Sequence, residues 1–248
     1  MTVTFRKTAL LAASAAALAL GGTAAMAGTI VVKASGPSAK TYAPGKPLPA
    51  AAKLNLQAGD TITVLNETGT KVFRGPGVFA INSATAAKGN LTSAVSNTGI
   101  KTTRTGAVRG GMTWSRPANV WMIDADKAGT VCYTGANPVS LWLGGIDTSQ
   151  PVKLVRLADS KELPLTLRAG QRIATWPAGE MPPSEGSEYS LSGGGLAAPV
   201  KFKFAATGPE ASESVGMATA FIAKGCTSQL DLLVHNMSVP EDLEESAS

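Results

Sequence analysis

Glycine and proline interrupt this chain so often that most segments are too short for a helix. The 248 residues contain 27 glycines and 15 prolines, and the runs between them alternate apolar and polar residues. Leu54–Gln57, Thr61–Leu65 and Thr70–Arg74 are such runs, and this period of two is typical of half-buried β-strands. The turns between them, Ala58-Gly59-Asp60 and Asn66-Glu67-Thr68-Gly69, predict two adjacent hairpins.

Further short strands are expected along the chain after Gly28. They lie near Thr29–Lys33, Val78–Ile81, Ala107–Val108, Val120–Ile123, Thr130–Tyr133, Ser140–Leu143, Val152–Leu157, Leu163–Leu167, Arg172–Thr175, Gly186–Leu191 and Val200–Phe204.

Two short helices are predicted near the end of the chain. The first covers 212–224 and ends at Gly225, and the second begins with Thr227 or Ser228 as its cap. The predicted fold is therefore mainly β, with short antiparallel strands and hairpins in a sandwich- or roll-like arrangement and two short C-terminal helices. Apolar residues share one face in each helix: Val215, Ala218, Phe221 and Ile222 in the first, and Leu230, Leu233, Val234 and Met237 in the second.

Residues 1–27 have the three-part layout of a cleavable secretory signal peptide. Two basic residues precede an uncharged, alanine- and leucine-rich run over 9–20, and Ala25-Met26-Ala27 forms an A-x-A cleavage site. The alternative is a membrane anchor, but this run is too short to cross a hydrocarbon core of about 30 Å as a helix. We therefore expect a periplasmic or secreted protein with no stable membrane insertion after the signal is removed.

The charge balance gives no argument for nucleic-acid binding. The formal net charge is +5, and loss of the signal removes Arg6 and Lys7, which leaves +3 on the rest of the chain. Residues 239–248 include the acidic run Glu241-Asp242-Leu243-Glu244-Glu245, and we expect them to form a disordered tail.

Cys132 and Cys226 are the two cysteines of the chain. An even cysteine count in an exported protein indicates a disulfide, and the chain-entropy argument gives such a bridge roughly 4–5 kcal/mol for this loop length. The alternative is a pair of buried free thiols. Two cysteines and one histidine form no zinc site of ordinary spacing.

The segment 54–77 resembles a FecR-like domain. In that family a strand leads to an AGD turn and a second strand, after which a G-T turn and a third strand end at a GPG turn. The resemblance covers mainly residues 30–80 and implies a periplasmic β-rich module used for sensing or for protein contacts. The matching turn residues are Gly59, Asp60, Gly69, Gly75, Pro76 and Gly77.

The resemblance and the strand pattern together predict the domain organisation. FecR sensors proper carry a cytoplasmic segment and a transmembrane helix before this domain. This chain is expected to carry a cleavable signal peptide there instead, so the resemblance does not imply transcriptional signalling through the membrane. The expected parts are the signal peptide (1–27), a FecR-like β domain (28–81), a polar linker or loop (82–105), a β segment joined to the first domain (106–150), a β region closed by two helices (151–238) and the acidic tail (239–248).

The four tryptophans are the candidates for partner contact. Exposed indole faces could stack on sugar rings or bind a partner, and the alternative is that they fill the core. The candidate residues are Trp114, Arg116, Trp121, Trp142 and Trp176.

Asp231 and His235 are spaced i, i+4 on the second predicted helix. This spacing suits an Asp–His pair that orients a general base, or a pair that faces solvent. No G-x-S-x-G elbow accompanies it, and we assign no catalytic residue.

Two groups of carboxylates complete the list of candidate sites. Asp124 and Asp126 resemble the start of a calcium loop, but Gly135 stands where an EF-hand needs Glu, and a plain turn is the alternative. A second group could act as paired glycosidase carboxylates or carry solvated charge in a loop. It consists of Glu180, Glu185 and Glu188.

These features predict a non-enzymatic periplasmic module that binds or senses a protein or glycan partner in the cell envelope. The alternative is an envelope hydrolase acting on polysaccharide or peptidoglycan. We expect no cofactor, no metal and no nucleic acid as a partner.

Overall fold

The computed structural model describes residues 28–82, 116–135 and 138–238. Several predictions concern residues outside these ranges: the signal peptide (1–27), nearly all of the linker (82–105), the strand near Ala107, Trp114 and the acidic tail (239–248).

Six strands form the first β unit: β1 (Thr29–Ser35), β2 (Pro47–Leu48), β3 (Lys53–Leu56), β4 (Thr61–Asn66), β5 (Gly69–Arg74) and β6 (Gly77–Ala80). Four of them build an antiparallel sheet in the order β2-β1-β4-β5, and β3 pairs with β6. A short 3-10 helix, Pro37–Lys40, follows β1.

The predicted hairpin of β4 and β5 is confirmed, whereas the predicted hairpin of β3 and β4 is wrong. β5 pairs with one edge of β4, and Asn66 lies opposite Gly69 at the turn. The other edge of β4 is occupied by β1, with Ser35 opposite Thr61. Because β4 has no free edge left, β3 pairs with β6 instead.

Asp60 fixes the turn between β3 and β4. Its carboxylate is 1% exposed and accepts hydrogen bonds from the backbone N–H groups of Ser38 (2.8 Å) and Gln57 (2.6 Å). Burial alone would raise the pKa of Asp60, but hydrogen bonding by the Ser38 side chain and by these two N–H groups outweighs burial and lowers that pKa below its ordinary value. Gly36, with φ +96°, passes so close that a Cβ there would lie 2.6 Å from Asp60 Oδ1.

Eight strands form the second β unit: β7 (Met122–Asp124), β8 (Gly129–Tyr133), β9 (Ser140–Trp142), β10 (Val152–Arg156), β11 (Lys161–Leu165), β12 (Ile173–Thr175), β13 (Glu188–Gly193) and β14 (Val200–Ala206). One sheet has the order β11-β10-β13-β14-β8, and a smaller sheet has the order β12-β9-β7. The two sheets share one apolar core that includes Leu141, Leu154, Trp176, Phe202 and Phe204.

Within the described part of 106–150, β8 and β9 take strand partners from residues 151–238, and β7 pairs with β9 of the same segment. β8 runs parallel to β14, and β9 pairs antiparallel with β12. Val131 and Leu141 enter the core of the second β unit. Val120 and Cys132 of the same segment share a second apolar cluster with Ile30 and Leu65 of the first β unit, and the domain organisation stays a prediction.

Both C-terminal helices are present as α1 (Ser214–Lys224) and α2 (Thr227–Met237). Gly225, with φ +76°, ends α1, and the N–H of Cys226 bonds the carbonyl of Phe221 (2.8 Å). The predicted cap of α2 at Thr227 or Ser228 is wrong, because Cys226 holds the cap position and no side chain caps this helix.

The helices join the two β units through a core of their own. Ile30 from β1 and Leu65 from β4 contact the same cluster as Phe221 and Leu233 from the helices. Cys132 of β8 and Cys226 belong to this cluster and lie at disulfide distance, with Cα atoms 5.8 Å apart. The corner between α1 and α2 is thus fixed to β8.

The predicted fold class is confirmed. The described residues are mainly β, in largely antiparallel sheets, with two short helices at the end. Two pairings are parallel, β8 with β14 and β7 with β9.

Candidate functional site

Trp176 lies in the core of the second β unit, and Trp142 of β9 is buried as well. Each is 2% exposed, so neither ring offers a face to a sugar or a partner. Trp176 packs edge-on against Tyr189 and Phe204, with ring centroids 5.0 Å apart in both pairs. This burial favours the core alternative over partner contact for both tryptophans.

Trp121 and Arg116 have different surroundings. Trp121 is half-buried, and its ring meets that of Phe221 edge-on at 5.6 Å. Arg116 is exposed at the edge of a cleft. Of the predicted contact residues, Arg116 is the described one that lies at a concave surface.

The turn residues of the FecR-like pattern lie at three successive chain reversals. These reversals connect β3 to β4, β4 to β5 and β5 to β6, and the N–H of Gly75 bonds the carbonyl of Asp60 (3.0 Å). The residues concerned are Gly59, Asp60, Gly69, Gly75, Pro76 and Gly77.

The three candidate glycosidase carboxylates each have a separate lysine partner. Their ion-pair distances are 4.0 Å for Lys161, 3.3 Å for Lys224 and 3.9 Å for Lys203. Such exposed pairs carry surface charge, which is the alternative that the sequence left open. The pairs are Glu180–Lys161, Glu185–Lys224 and Glu188–Lys203.

Asp231 and His235 both lie on the exposed side of α2. Asp231 is paired with Lys33 at 3.5 Å, and its side chain is 68% exposed. Burial and, secondly, the charge of Arg116 lower the pKa of His235. The pair therefore belongs to a charged surface rather than to a buried catalytic relay.

Asp124 has an unusual protonation equilibrium. Burial and a hydrogen bond with the Asp126 side chain raise the pKa of Asp124 to about 6, although Lys127 Nζ lies 2.8 Å from Asp124 Oδ2. Within the described ranges, no group of three or more histidine, cysteine or carboxylate side chains is placed to hold a metal ion.

A cleft of about 290 Å³ opens between β7, β8 and α2. This volume is close to the lower end of the roughly 300–1,000 Å³ found for ligand sites. Buried apolar side chains form part of the lining: Met122, Ile123, Val131 and Leu232. Charged side chains form another part: Arg116, Asp124, Lys127, Asp231 and His235.

One wall of the cleft is the free edge of β8. β8 is the outermost strand of its sheet, and the carbonyl of Tyr133 faces β14, where it accepts the N–H of Thr207 (3.0 Å). The peptide groups of Cys132 point the other way and are paired by Gln229. The Oε1 atom of Gln229 accepts the Cys132 N–H (2.6 Å), and Nε2 donates to the Cys132 carbonyl (2.8 Å).

Strand geometry directs the backbone of Thr130 toward the cleft. Residues two apart in a strand present their peptide groups on the same side, so the N–H and C=O of Thr130 point to the side that Gln229 occupies at Cys132. Thr130 lines the cleft. Within the described part of the chain, no hydrogen bond reaches these two groups from that side.

The charges around the cleft are mostly paired. Lys127 is bound to Asp124, and Asp231 to Lys33. Arg116 forms no ion pair with any described residue. Among the described residues, its guanidinium is therefore the cation of this cleft that lacks an ionic partner.

The sequence reading did not identify Thr130 and Gln229 as site residues. Gln229 precedes Leu232 and Leu233 by three and four positions, so it is a polar residue on the apolar face of α2. A polar residue on an apolar helix face indicates a buried amide, and a buried amide needs hydrogen-bond partners. This pattern could therefore have identified Gln229. Nothing in the sequence could identify Thr130, since its exposure follows from the sheet order.

Comparison with family models, with curated proteins and with solved structures finds no match to this chain. No helix among the described residues has the length and apolar character that a membrane crossing requires.

Proposed function

We propose that this chain is an exported, non-enzymatic, FecR-like β-rich module that binds a protein partner in the cell envelope through the cleft between β7, β8 and α2. The observation that carries the proposal is an edge of β8 that no described strand covers, in a cleft that also holds Arg116, which forms no ion pair with a described residue. Exposed strand edges and arginines are frequent elements of polypeptide recognition.

A protein partner is preferred to a glycan because of where the aromatic rings lie. Trp142 and Trp176 are buried, and Trp121 packs on Phe221. Among the described residues that line the cleft there is no Phe, Tyr or Trp. A site without aromatic faces has no stacking surface for sugar rings, whereas peptide groups and charges suit a polypeptide.

The FecR-like reading rests on the turn pattern of the first β unit, and the export reading rests on the layout of residues 1–27. Both agree with a disulfide between Cys132 and Cys226, since such bridges persist in oxidising compartments. These arguments together support a binding module of the envelope.

Hydrolysis of a polysaccharide is less well supported. Two-carboxylate glycosidases hold a pair of carboxyl groups about 5–9.5 Å apart, whereas Asp124 in the cleft is paired with Lys127 at 2.8 Å. Glu180, Glu185 and Glu188 are each paired with a different lysine. No described observation favours the hydrolase over the binding module.

Capture from an envelope extract tests the proposal with a matched pair of variants. Ala128 is exposed and lines the cleft, whereas Ala158 is exposed in the turn after β10. Ala128→Trp should fill the cleft and abolish capture of a partner that wild type and Ala158→Trp both retain. Protease treatment of the extract should remove the captured material. Equal capture by both variants, or capture that resists protease and is lost after glycan digestion, would contradict the proposal.

A further inference from the structure

We propose that the cleft binds an extended peptide that carries a carboxylate, with its backbone paired to Thr130 at the edge of β8 and its carboxylate paired to Arg116. This inference rests on the proposed function and names the chemistry of the ligand.

The backbone step follows from the unused peptide groups of β8. Gln229 already imitates a neighbouring strand at Cys132, since its side-chain amide accepts from and donates to the same residue. One strand step away, the N–H and C=O of Thr130 have the same direction and no described partner on that side. An extended peptide carries donors and acceptors at the spacing that an edge strand requires.

The edge of β8 that an added peptide could pair with is short. Gln229 is 4% exposed and also donates to the carbonyl of Val120 (2.7 Å), so it closes the edge beyond Cys132. β8 begins at Gly129. The free edge therefore amounts to one residue pair, which suits a short peptide segment in a cleft of about 290 Å³.

The carboxylate step follows from the charges. Arg116 is exposed and without an ion pair among the described residues, whereas Lys127 is held by Asp124. A guanidinium binds a carboxylate through two parallel hydrogen bonds. Asp124 and Asp231 line the same cleft but are already paired with lysines. Among the described residues, the single charge of Arg116 is left to balance an anion, so a single carboxylate fits better than a doubly charged phosphate.

Two probe peptides separate the steps: N-acetyl-Ala-Val-Ala with a free carboxylate, and the same peptide with a C-terminal amide. The purified, isotopically labelled protein is titrated with each peptide up to millimolar concentration. NMR spectra then report the chemical shifts of the Thr130 backbone N–H and the Arg116 guanidinium N–H. We expect the free acid to shift both signals, and the amide to bind roughly tenfold more weakly, because one charge-assisted pair is lost.

Variants assign the effect to residues. Arg116→Gln should reduce the affinity for the free acid to that of the amide, and Arg168→Gln, an exposed arginine in a distant loop, should change neither. Thr130→Pro removes the donor without removing a ladder bond and should weaken both peptides equally. If that variant fails to fold, the shift of the wild-type Thr130 signal remains the test of the backbone step.

The outcomes distinguish this inference from the proposed function. Equal binding of acid and amide, with Thr130 shifted, would overturn the carboxylate step while peptide binding stands. Absence of a Thr130 shift with either peptide would overturn the inference as a whole. The function itself is decided separately by the capture experiment, which uses no probe peptide.

Discussion

Single polar side chains position the elements around the cleft. Gln229 connects α2 to β8 and to the segment before β7 through three hydrogen bonds, and Asp60 connects the turn after β3 to the helix after β1. Both side chains are buried, and their polar atoms are paired, as buried polar groups in folded proteins require. The geometry of the cleft therefore depends on a few specific hydrogen bonds as well as on apolar packing.

Replacing Gln229 should destabilise the protein strongly. Gln229→Leu keeps the volume but leaves the peptide groups of Cys132 and the carbonyl of Val120 buried without partners, and we expect a loss of about 2–4 kcal/mol in the free energy of unfolding. Gln150→Leu removes an exposed amide bonded to Asp147 and should change stability by less than about 0.5 kcal/mol. Urea titration measures both, and similar losses in the two variants would refute the role of Gln229.

Asp124 should make stability fall as pH rises. Its pKa is about 6 in the folded protein and about 3.9 in an unfolded chain, so the folded state binds more protons in this window. The free energy of unfolding should therefore decrease between about pH 4 and pH 6, by up to roughly 3 kcal/mol.

Urea titrations at several pH values check this slope. Asp124→Asn should flatten it, because the amide does not titrate. Asp159→Asn should leave it unchanged, since Arg156 lowers the pKa of Asp159 to about 2, below the window. A wild-type slope that persists in Asp124→Asn would show that another group titrates there.

At the scale of elements, β8 is the strand on which the arrangement depends. It extends the large sheet through β14, carries the cysteine that is held to the corner between α1 and α2, and supplies an edge to the cleft. Its two faces enter different cores: Val131 contacts the core between the sheets, and Cys132 contacts the core under the helices. Any change that loosens α2 from β8 should alter the cleft.

The disulfide prediction follows from this arrangement. Thiol titration of the unfolded, unreduced protein should find no reactive cysteine. The double substitution of Cys132→Ala with Cys226→Ala should lower the free energy of unfolding by about 2–5 kcal/mol and should speed amide hydrogen exchange in α2 more than in β13. Two reactive thiols per chain would contradict the bridge.

Local signals predicted the elements better than their partners. Alternation located β3, β4 and β5, and helical periodicity with Gly225 located α1 and its end. The partner of β3 was wrong because a turn sequence cannot reveal that β1, from an earlier part of the chain, occupies the second edge of β4. The cap of α2 was wrong because Cys226 is held from outside the helix by β8.

At the scale of the whole molecule, the sequence could predict the fold class but not the cleft. The cleft requires β7 and β8 to belong to different sheets and α2 to pack beside both. The pairing of β8 with β14 and the packing of α2 on β8 each join distant parts of the chain. Composition likewise could not decide whether tryptophans were exposed, since their burial depends on sheet packing. Arg116 was predicted as a contact residue because it lies near Trp114 in the sequence, whereas the structure places it at the edge of the cleft.

The central claim is that a protein partner contacts this cleft, and site-specific photo-cross-linking in cells tests it most directly. A benzophenone amino acid placed at position 128, in the cleft, should form a protease-sensitive adduct of defined mass on irradiation, and the same group at position 158 should not. The yield of the adduct at 128 should fall when Arg116→Gln is added. Adducts of equal yield at both positions, or no protein adduct at 128, would contradict the account.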